Sequence, residues 1–416
     1  MPRKLFVHPF VTGAIAAYVN ASPINTQGQK REGLRENIVE TKKFVAKDGG
    51  GLSFYVSGPC IRRMLRETLY EYYDWERSPV TVVAKEGQKQ IAPEAVEFPL
   101  EDEDDETKVM AAITAHTEGN PFIYADDDLF GYFIPQKKEG ARLRRAPFRL
   151  NSARSLPQAG VVFREQRTMS GHLMDGGRGK RKSGEIFHPI LYEVEVPTGP
   201  VSFIFALSLK NAGVFTCGKG GEVTEEMYKA AKAAGLIEKE TAWGVNGKQV
   251  WLTKEERLQR IRDILQALHE LNGGANQTRH LNDFRPRAIV AAVIDGGQAL
   301  LQDSFIPSGD PFKPVNIRLE FLVNRLKQYI KPFPCMGGSA HQNGVSMAGI
   351  FYRHPGNGKC VFIADCDFIH NKDEVRKAVE SDPILKEIVS FEEDVREVLE
   401  RCCEIATHLI EQNIPW

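Results

Sequence analysis

The chain has 416 residues, 42% hydrophobic and 26% charged, with a formal net charge of −1. This length and composition exclude a disordered or collagen-like chain and leave room for one elaborated domain or two lobes around a large core. No run of about 18 apolar residues occurs, so no membrane-spanning helix is expected; seven cysteines without repeated spacing exclude a disulfide framework and suit a reducing, cytoplasmic setting.

Near the start, His8, Pro9, Thr12 and Gly13 interrupt an apolar run that would otherwise imitate a signal peptide. Alternation after Phe10 predicts a strand over residues 10–20. Residues 24–51 are polar and glycine-interrupted, the composition of a loop. Phe54 to Val56 then enter a helix, with Ser57 as N-cap and Pro59 in the first turn. Ile61, Leu65, Leu69 and Tyr72 form one apolar stripe, and Arg62, Arg63 and Arg66 lie off it.

Charge is strongly partitioned along the middle of the chain. From Glu94 to Asp128 twelve acids face Lys108 alone, a net of −11. This reads as a solvated loop with Glu101 to Glu106 at its tip, or as an edge that meets a basic face on another copy. Ala125 to Phe133 (ADDDLFGYF) reads as a capped turn entering buried aromatics. From Lys137 to Lys182 thirteen cations face Glu139, Glu165 and Asp175, a net of +10. Crowding like charges costs free energy unless a polyanion neutralises them, so this stretch is read as phosphate-binding. Its glycines, Gly171, Gly176, Gly177, Gly179 and Gly184, suit a hairpin tip.

Two β-rich runs, 189–196 and 200–209, are joined by Pro197 to Pro200. Residues 223–252 suggest a small helix-plus-hairpin insertion. Thr253 caps a helix through Leu271 with Leu258, Ile261, Leu265, Leu268 and Leu271 on one face, and Gly273-Gly274 stop it. A polar loop leads to a strand at 286–294. Helices follow near 316–330, 372–380 and 391–412; in the last, Val395, Leu399, Cys402, Ala406 and Leu409 share a face. Without the excursions the order is strand, helix, strands, helix, strand. That is the ferredoxin-like split βαβ pattern of an α+β fold, shared with RNA-recognition modules, whose open sheet face accepts single-stranded nucleic acid.

Four segments carry a family resemblance: Val56 to Arg66 (VSGPCIRRMLR), Asp126 to Tyr132 (DDDLFGY), the basic glycine-rich excursion, and Gly273 to Asn282 (GGANQTRHLN). In order and spacing they resemble the CRISPR-associated backbone subunit of the Cascade surveillance complex. The similarity is greatest to the DevR-like, type I-B-like branch of the RAMP superfamily, over about residues 5–300. The resemblance implies an RRM-type palm with finger and thumb insertions and a helical C-terminal extension. The first palm strand and loop would span 1–56, the palm helix and finger 57–135, the thumb 136–190, the palm completion 191–305 and the extension 306–416. It further implies that copies stack helically along a guide crRNA, beside other Cascade subunits, and present it to a target DNA strand, with no cofactor.

Candidate contacts follow from this frame. The Ser57 helix start offers free N–H groups to a phosphate, with Arg62, Arg63 and Arg66 beside it; the plainer reading is a capped helix with solvated arginines. Arg279, His280 and Asn282 lie in a polar loop suited to phosphates and 2′-hydroxyls, or to a loop tied down by its own bonds. In the thumb, Phe163, Met169, Leu173 and Met174 are wedge candidates beside Arg164, Arg167 and Arg178, or pack the base of a hairpin. Arg154, and Lys30 and Arg31 in the first loop, complete the set.

A nuclease needs a base, an acid or a metal. Type III relatives use an aspartate in the loop after the first strand; here that loop, Asn20 to Gly33, has none, so a non-catalytic protein is expected. The competing readings are a CRISPR RNA-processing ribonuclease using His172 or His188, and a sequence-specific nucleic-acid-binding regulator. Cys335, His341, His354, Cys360, Cys366 and His370 lack zinc-knuckle spacing. A phosphate-binding G-x-x-x-x-G-K-[ST] motif is also absent.

Overall fold

The structure is a computed structural model that describes residues 8–25, 38–45, 52–84, 90–91, 113–135, 141–169, 190–244, 247–271, 273, 281–330, 341–342 and 345–412. Its central strand is Pro9–Val19, in which every residue but Tyr18 is buried. It runs antiparallel to Ile190–Ser208 on one side, from Phe10 opposite Ser208 to Val19 opposite Gly199. On the other side it runs antiparallel to Ala288–Asp295, from Pro9 opposite Asp295 to Ala16 opposite Ala288. Outward from Ile190–Ser208 come Phe148–Leu150 and Ala153–Ser155, then Leu52–Val56 and Lys43–Val45. Outward from Ala288–Asp295 comes Val361–Asp365, with Val389–Phe391 parallel to it.

One face of this sheet receives three helices, Gly58–Tyr72, Lys254–His269 and Val395–Glu411. Val11, Ile15, Phe203, Phe205 and Ile289 pack there against Ile61, Leu65, Leu265 and Leu399. Two of the three helices carry side-chain caps at their starts. Thr253 accepts from Glu256 N–H (3.4 Å) and Asp394 from Glu397 N–H (2.8 Å). The stripe of the last helix is wholly buried. In the first, Tyr72 departs from expectation at 62% exposure, and the next core contact is Trp75, whose indole donates to Asp263 (3.0 Å).

The other face is not open along the central strand. Phe10, Ala14, Val290 and Ile294 are covered by Leu301, Phe305, Leu322, Phe351 and Val375, all from the C-terminal third. The reason is compositional: the central strands are apolar on both faces, and burying both requires a second layer.

Ile190–Ser208 is one strand of 19 residues, not two runs. At its bend Gly199 has φ +138, and a Cβ there would come 2.6 Å from the Ala159 carbonyl oxygen. Only glycine tolerates both conditions. The bend frees the first half to pair with Val161–Met169 as a two-stranded ribbon, from Val161 opposite Thr198 to Met169 opposite Ile190. The expected insertion is present: Val214–Cys217, Ile237–Trp243 and Gly247–Leu252 form a small sheet under the helix Glu225–Ala233.

The acidic stretch is only in part what its charge suggested; residues 92–112 lie outside the described set, and its last three acids are buried ties. Asp126 accepts from Tyr70 hydroxyl (2.8 Å), and Asp127 from Ser78 hydroxyl (2.8 Å) and Asn120 N–H (3.0 Å). Asp128 pairs with Arg144 and with Arg260 (3.0 Å) and accepts from Gly213 N–H (2.9 Å). Arg144, counted among the thirteen cations, is therefore buried and neutralised. Replacing Asp128 with alanine removes one carboxylate from two buried guanidiniums, which keep Glu222 and Glu256, and leaves the Gly213 N–H without its acceptor, so it should cost about 1–3 kcal/mol. The check is a fall in the urea midpoint with an unchanged slope; an unmoved midpoint would contradict this role.

Candidate nucleic-acid interface

The structure divides the described candidate cations between a helix start and a sheet face. At the helix start, Ser57 occupies the N-cap position but makes no side-chain cap bond. Instead Gly58 N–H donates to Ser152 hydroxyl (3.3 Å), which ties the helix to the outer strands. Burial pushes the Cys60 thiol up, against the opposing pull of Lys42 and Arg63, so both cations stand around the first turn. Burial, then repulsion from Arg66 one turn on, holds the Arg62 guanidinium below its ordinary value.

Arg66 lies 4.4 Å over the Phe130 ring, and its buried Nε has no partner among the described residues. Burial raises Asp126, while Tyr70 and Arg66 act to lower it, so Arg66 is partly offset. Arg62 has no ion pair among the described residues. Like charges at i, i+4 repel, and a bound anion relieves them.

The second group lies on the sheet face away from the helices. Phe203, Phe205 and Leu207 point to the helical core, so Ser202, Ile204 and Ala206 point the other way. Arg154 is in register with Ser202 and Arg149 with Ala206, and both are exposed. Arg154 is also in register with Tyr55, whose ring centre is 6.1 Å from that of Phe44. The Arg154 guanidinium is 5.7 Å from the Phe44 ring, and that of Arg149 is 5.7 Å from Phe10. Phe10 is buried, but the half-buried rings of Phe44 and Tyr55 beside an exposed guanidinium can stack bases and hold phosphates.

Of this group the sequence alone singles out only Arg154. It gives no sign that Arg149, Phe44 and Tyr55 belong to the same face. The alternation in Leu52–Val56, with Phe54 and Val56 inward, could have placed Tyr55 outward.

On the ribbon, Arg164 pairs with Glu193 (3.5 Å) and Glu195 (3.8 Å). Glu195 is buried and also holds Lys43 (2.6 Å) and Thr41 N–H (3.1 Å). Arg164 is thus anchored at the ribbon's base. Phe163, one residue away on the opposite ribbon face, is 53% exposed. Arg167 and Met169 occupy strand positions opposite Tyr192 and Ile190; their side chains lie outside the described set. So do Lys30, Arg31, His172, Leu173, Met174, Arg178, His188, Arg279, His280 and Cys335. Gly273 packs beside Met64, which brings the start of the Gly273–Asn282 loop to the first helix. Asn282 itself is buried at 4% exposure, while Leu281 is 86% exposed.

Other polar clusters are structural. His354 pairs through Nε2 with Glu404, and its Nδ1 accepts from Gly356 N–H (3.1 Å), which assigns the proton to Nε2. Among the described residues no group of three or more His, Cys, Asp or Glu could hold a metal ion, and no helix is long and apolar enough to cross a membrane.

A family model described as CRISPR-associated negative auto-regulator DevR/Csa2 matches residues 15–302. Two chains from solved structures are each 10% identical to this one and align over 95% of it and 99% of their own length. One comes from a CRISPR RNA-guided surveillance complex, at TM-score 0.41, and the other from such a complex in a pre-nicking state, at TM-score 0.43. No curated protein matches the sequence.

Converting both Arg149 and Arg154 to alanine should weaken single-stranded RNA binding similarly for unrelated sequences. The slope of log affinity against log salt should fall by about 0.7 for each phosphate no longer neutralised. Tyr55→Ala should cost about 1–3 kcal/mol of binding with little change in slope. Anisotropy titrations at several salt concentrations read both; unchanged slopes would remove this face from the interface.

Proposed function

Since the chain belongs to the CRISPR-associated DevR/Csa2 family, matched over residues 15–302, we propose that it is a non-catalytic backbone subunit that binds guide crRNA in a Cascade surveillance complex. The observation that carries this reading is the outer-strand face, where exposed Arg154 stands beside half-buried Phe44 and Tyr55 and exposed Arg149 lies at the edge of the covered core. An RRM-type palm is supported by the strand order. Ala288–Asp295, Pro9–Val19, Ile190–Ser208 and the pair Phe148–Leu150 with Ala153–Ser155 are successive antiparallel neighbours. The helices Gly58–Tyr72 and Lys254–His269 fall at the two crossover positions of a split βαβ unit.

Backbone contacts position a strand without reading its sequence, so one such face can serve every guide. Several copies would share one crRNA, with the ribbon of residues 161–169 and 190–198 as the thumb. The exposed guide would then pair with target DNA among other Cascade subunits. The loop after the first strand, Asn20 to Gly33, has Asn25 and Glu32 but no aspartate, the residue that type III relatives use there, which favours holding over cutting. The family description also names a negative auto-regulator, and that supports a second reading in which one duplex is preferred.

A combined alanine variant at Arg62, Arg63, Arg149 and Arg154 should lose most affinity for guide RNA, and the parent should lose affinity steeply as salt rises. A salt response that is flat, or an unaffected variant, would end the proposal. Repeat RNA should stay intact on incubation; defined cleavage abolished by His172→Ala or His188→Ala would favour the ribonuclease instead. Preference for one duplex over a scrambled one at matched salt would favour the regulator.

A further inference from the structure

The insertion formed by Val214–Cys217, Ile237–Trp243 and Gly247–Leu252 has two unlike faces. On the inner face Phe215 and Val250 pack against Tyr228 and Ala231 of the helix Glu225–Ala233. Lys248 lies 4.0 Å over the Tyr228 ring, and Glu240 accepts from the Tyr228 hydroxyl, so the register fixes these residues on the helix side. The alternate positions face away from the helix: Lys239 opposite Trp251, Thr241 opposite Gln249, and Trp243 opposite Gly247. Two of the chain's four tryptophans thus stand on one outward face.

The Trp243 ring is seated by the backbone beneath it. A Cβ at Gly247 would come 2.6 Å from Trp243 Cε3, so glycine is what lets the indole lie over the adjacent strand. The ring is still 37% exposed. Trp251 is half-buried, with the Lys239 ammonium 5.3 Å from its ring centre. Four strand positions separate the two rings, about 13 Å at ~3.3 Å per residue. They are too far apart to share one base.

The charges nearby fit an anionic strand. Glu225 and Glu240 are turned to the helix side, where Lys248 and Lys232 meet them. Glu238 is met by Lys254, and Glu222 by Arg144 and Thr216. Lys239 remains on the outward face. Thr241 and Gln249 lie between the rings and supply hydrogen-bonding groups.

We propose that this face, set by Lys239, Thr241, Trp243, Gly247, Gln249 and Trp251, is a second stacking platform for unpaired single-stranded nucleic acid, separate from the sheet face that carries Arg149 and Arg154. Flat rings accept any base, a nearby ammonium holds the backbone, and a polar middle suits an unpaired strand better than a dry protein partner. The ligand is identified by that chemistry alone, so the strand is DNA or RNA.

The test uses the full chain and thymidine and uridine oligomers of roughly ten nucleotides. Either oligomer should quench tryptophan fluorescence. Trp243→Ala and Gly247→Ala should each remove most of the quenching and weaken binding roughly ten-fold. Trp251→Phe should retain binding, because a ring remains. The Arg149→Ala/Arg154→Ala variant should keep the quenching even as it loses affinity for guide RNA, which separates failure at one face from failure at the other. Stronger quenching by thymidine points to a DNA strand and by uridine to RNA; either supports the platform. Full affinity in well-folded Trp243→Ala, or quenching by a proline-rich peptide and by neither oligomer, overturns it.

Discussion

The molecule depends on a strand that must be covered twice. Pro9–Val19 and Ala288–Asp295 present apolar side chains on both faces, and leaving one face wet would expose Phe10, Val290 and Ile294. Each such side chain favours burial by about 1.5–3 kcal/mol. The C-terminal third is therefore a structural necessity, the second half of the central strands' core. It also decides where a ligand can sit. With the middle of the sheet closed on both sides, the surface left open is on the outer strands, where Arg149, Arg154, Phe44 and Tyr55 lie.

A second constraint fixes the ribbon relative to that face. One backbone runs from the ribbon through Gly199 into the central sheet, so the ribbon's direction is set by a bend that only glycine adopts there. Just before the bend, Glu195 is buried and gathers Lys43, Arg164 and the Thr41 amide. The buried Glu195 carboxylate is held chiefly by Lys43, and releasing Lys43 would leave that carboxylate poorly compensated in a dry site; Arg164, more exposed, adds a weaker tie from the ribbon. The bend and the ion cluster together make the ribbon an arm with a fixed root.

Local signals carry much of the fold. Thr253 and the stripe that follows it mark their helix in eight or nine residues, and Asp394 does the same for the last one, because caps and 3.6-residue periodicity are properties of neighbouring residues. What is not legible depends on distant partners. Asp126 to Asp128 read as part of an acidic surface, since nothing nearby reveals that Arg144 and Arg260 approach from 16 and 132 residues away. The double-sided burial of the first strand has only a weak local sign, an apolar run interrupted by Thr12 and Gly13, and its cover lies about 300 residues further on. Tyr55 and Phe44 escape notice for the same reason: their role depends on Arg154 being brought alongside by sheet register.

Net charge proves a coarse guide to the interface. The basic stretch sums to +10, yet its described members behave differently from one another. Arg144 is spent on Asp128 and Glu222, Arg164 is anchored to Glu193 and Glu195, and Arg142 donates to the Glu118 carbonyl. Arg149 and Arg154 keep their guanidiniums exposed over aromatic rings. Outside that stretch, Arg62 gains its meaning from burial and from the repulsion of Arg66, not from its count in a window. A phosphate is best held where cations are already placed and lack carboxylates to relax onto, because such sites gain most when an anion arrives. By that criterion the proposed grip on a strand falls to arginines with no carboxylate partner among the described residues, at the first helix and on the outer sheet, while Arg142 and Arg144 hold the protein itself together.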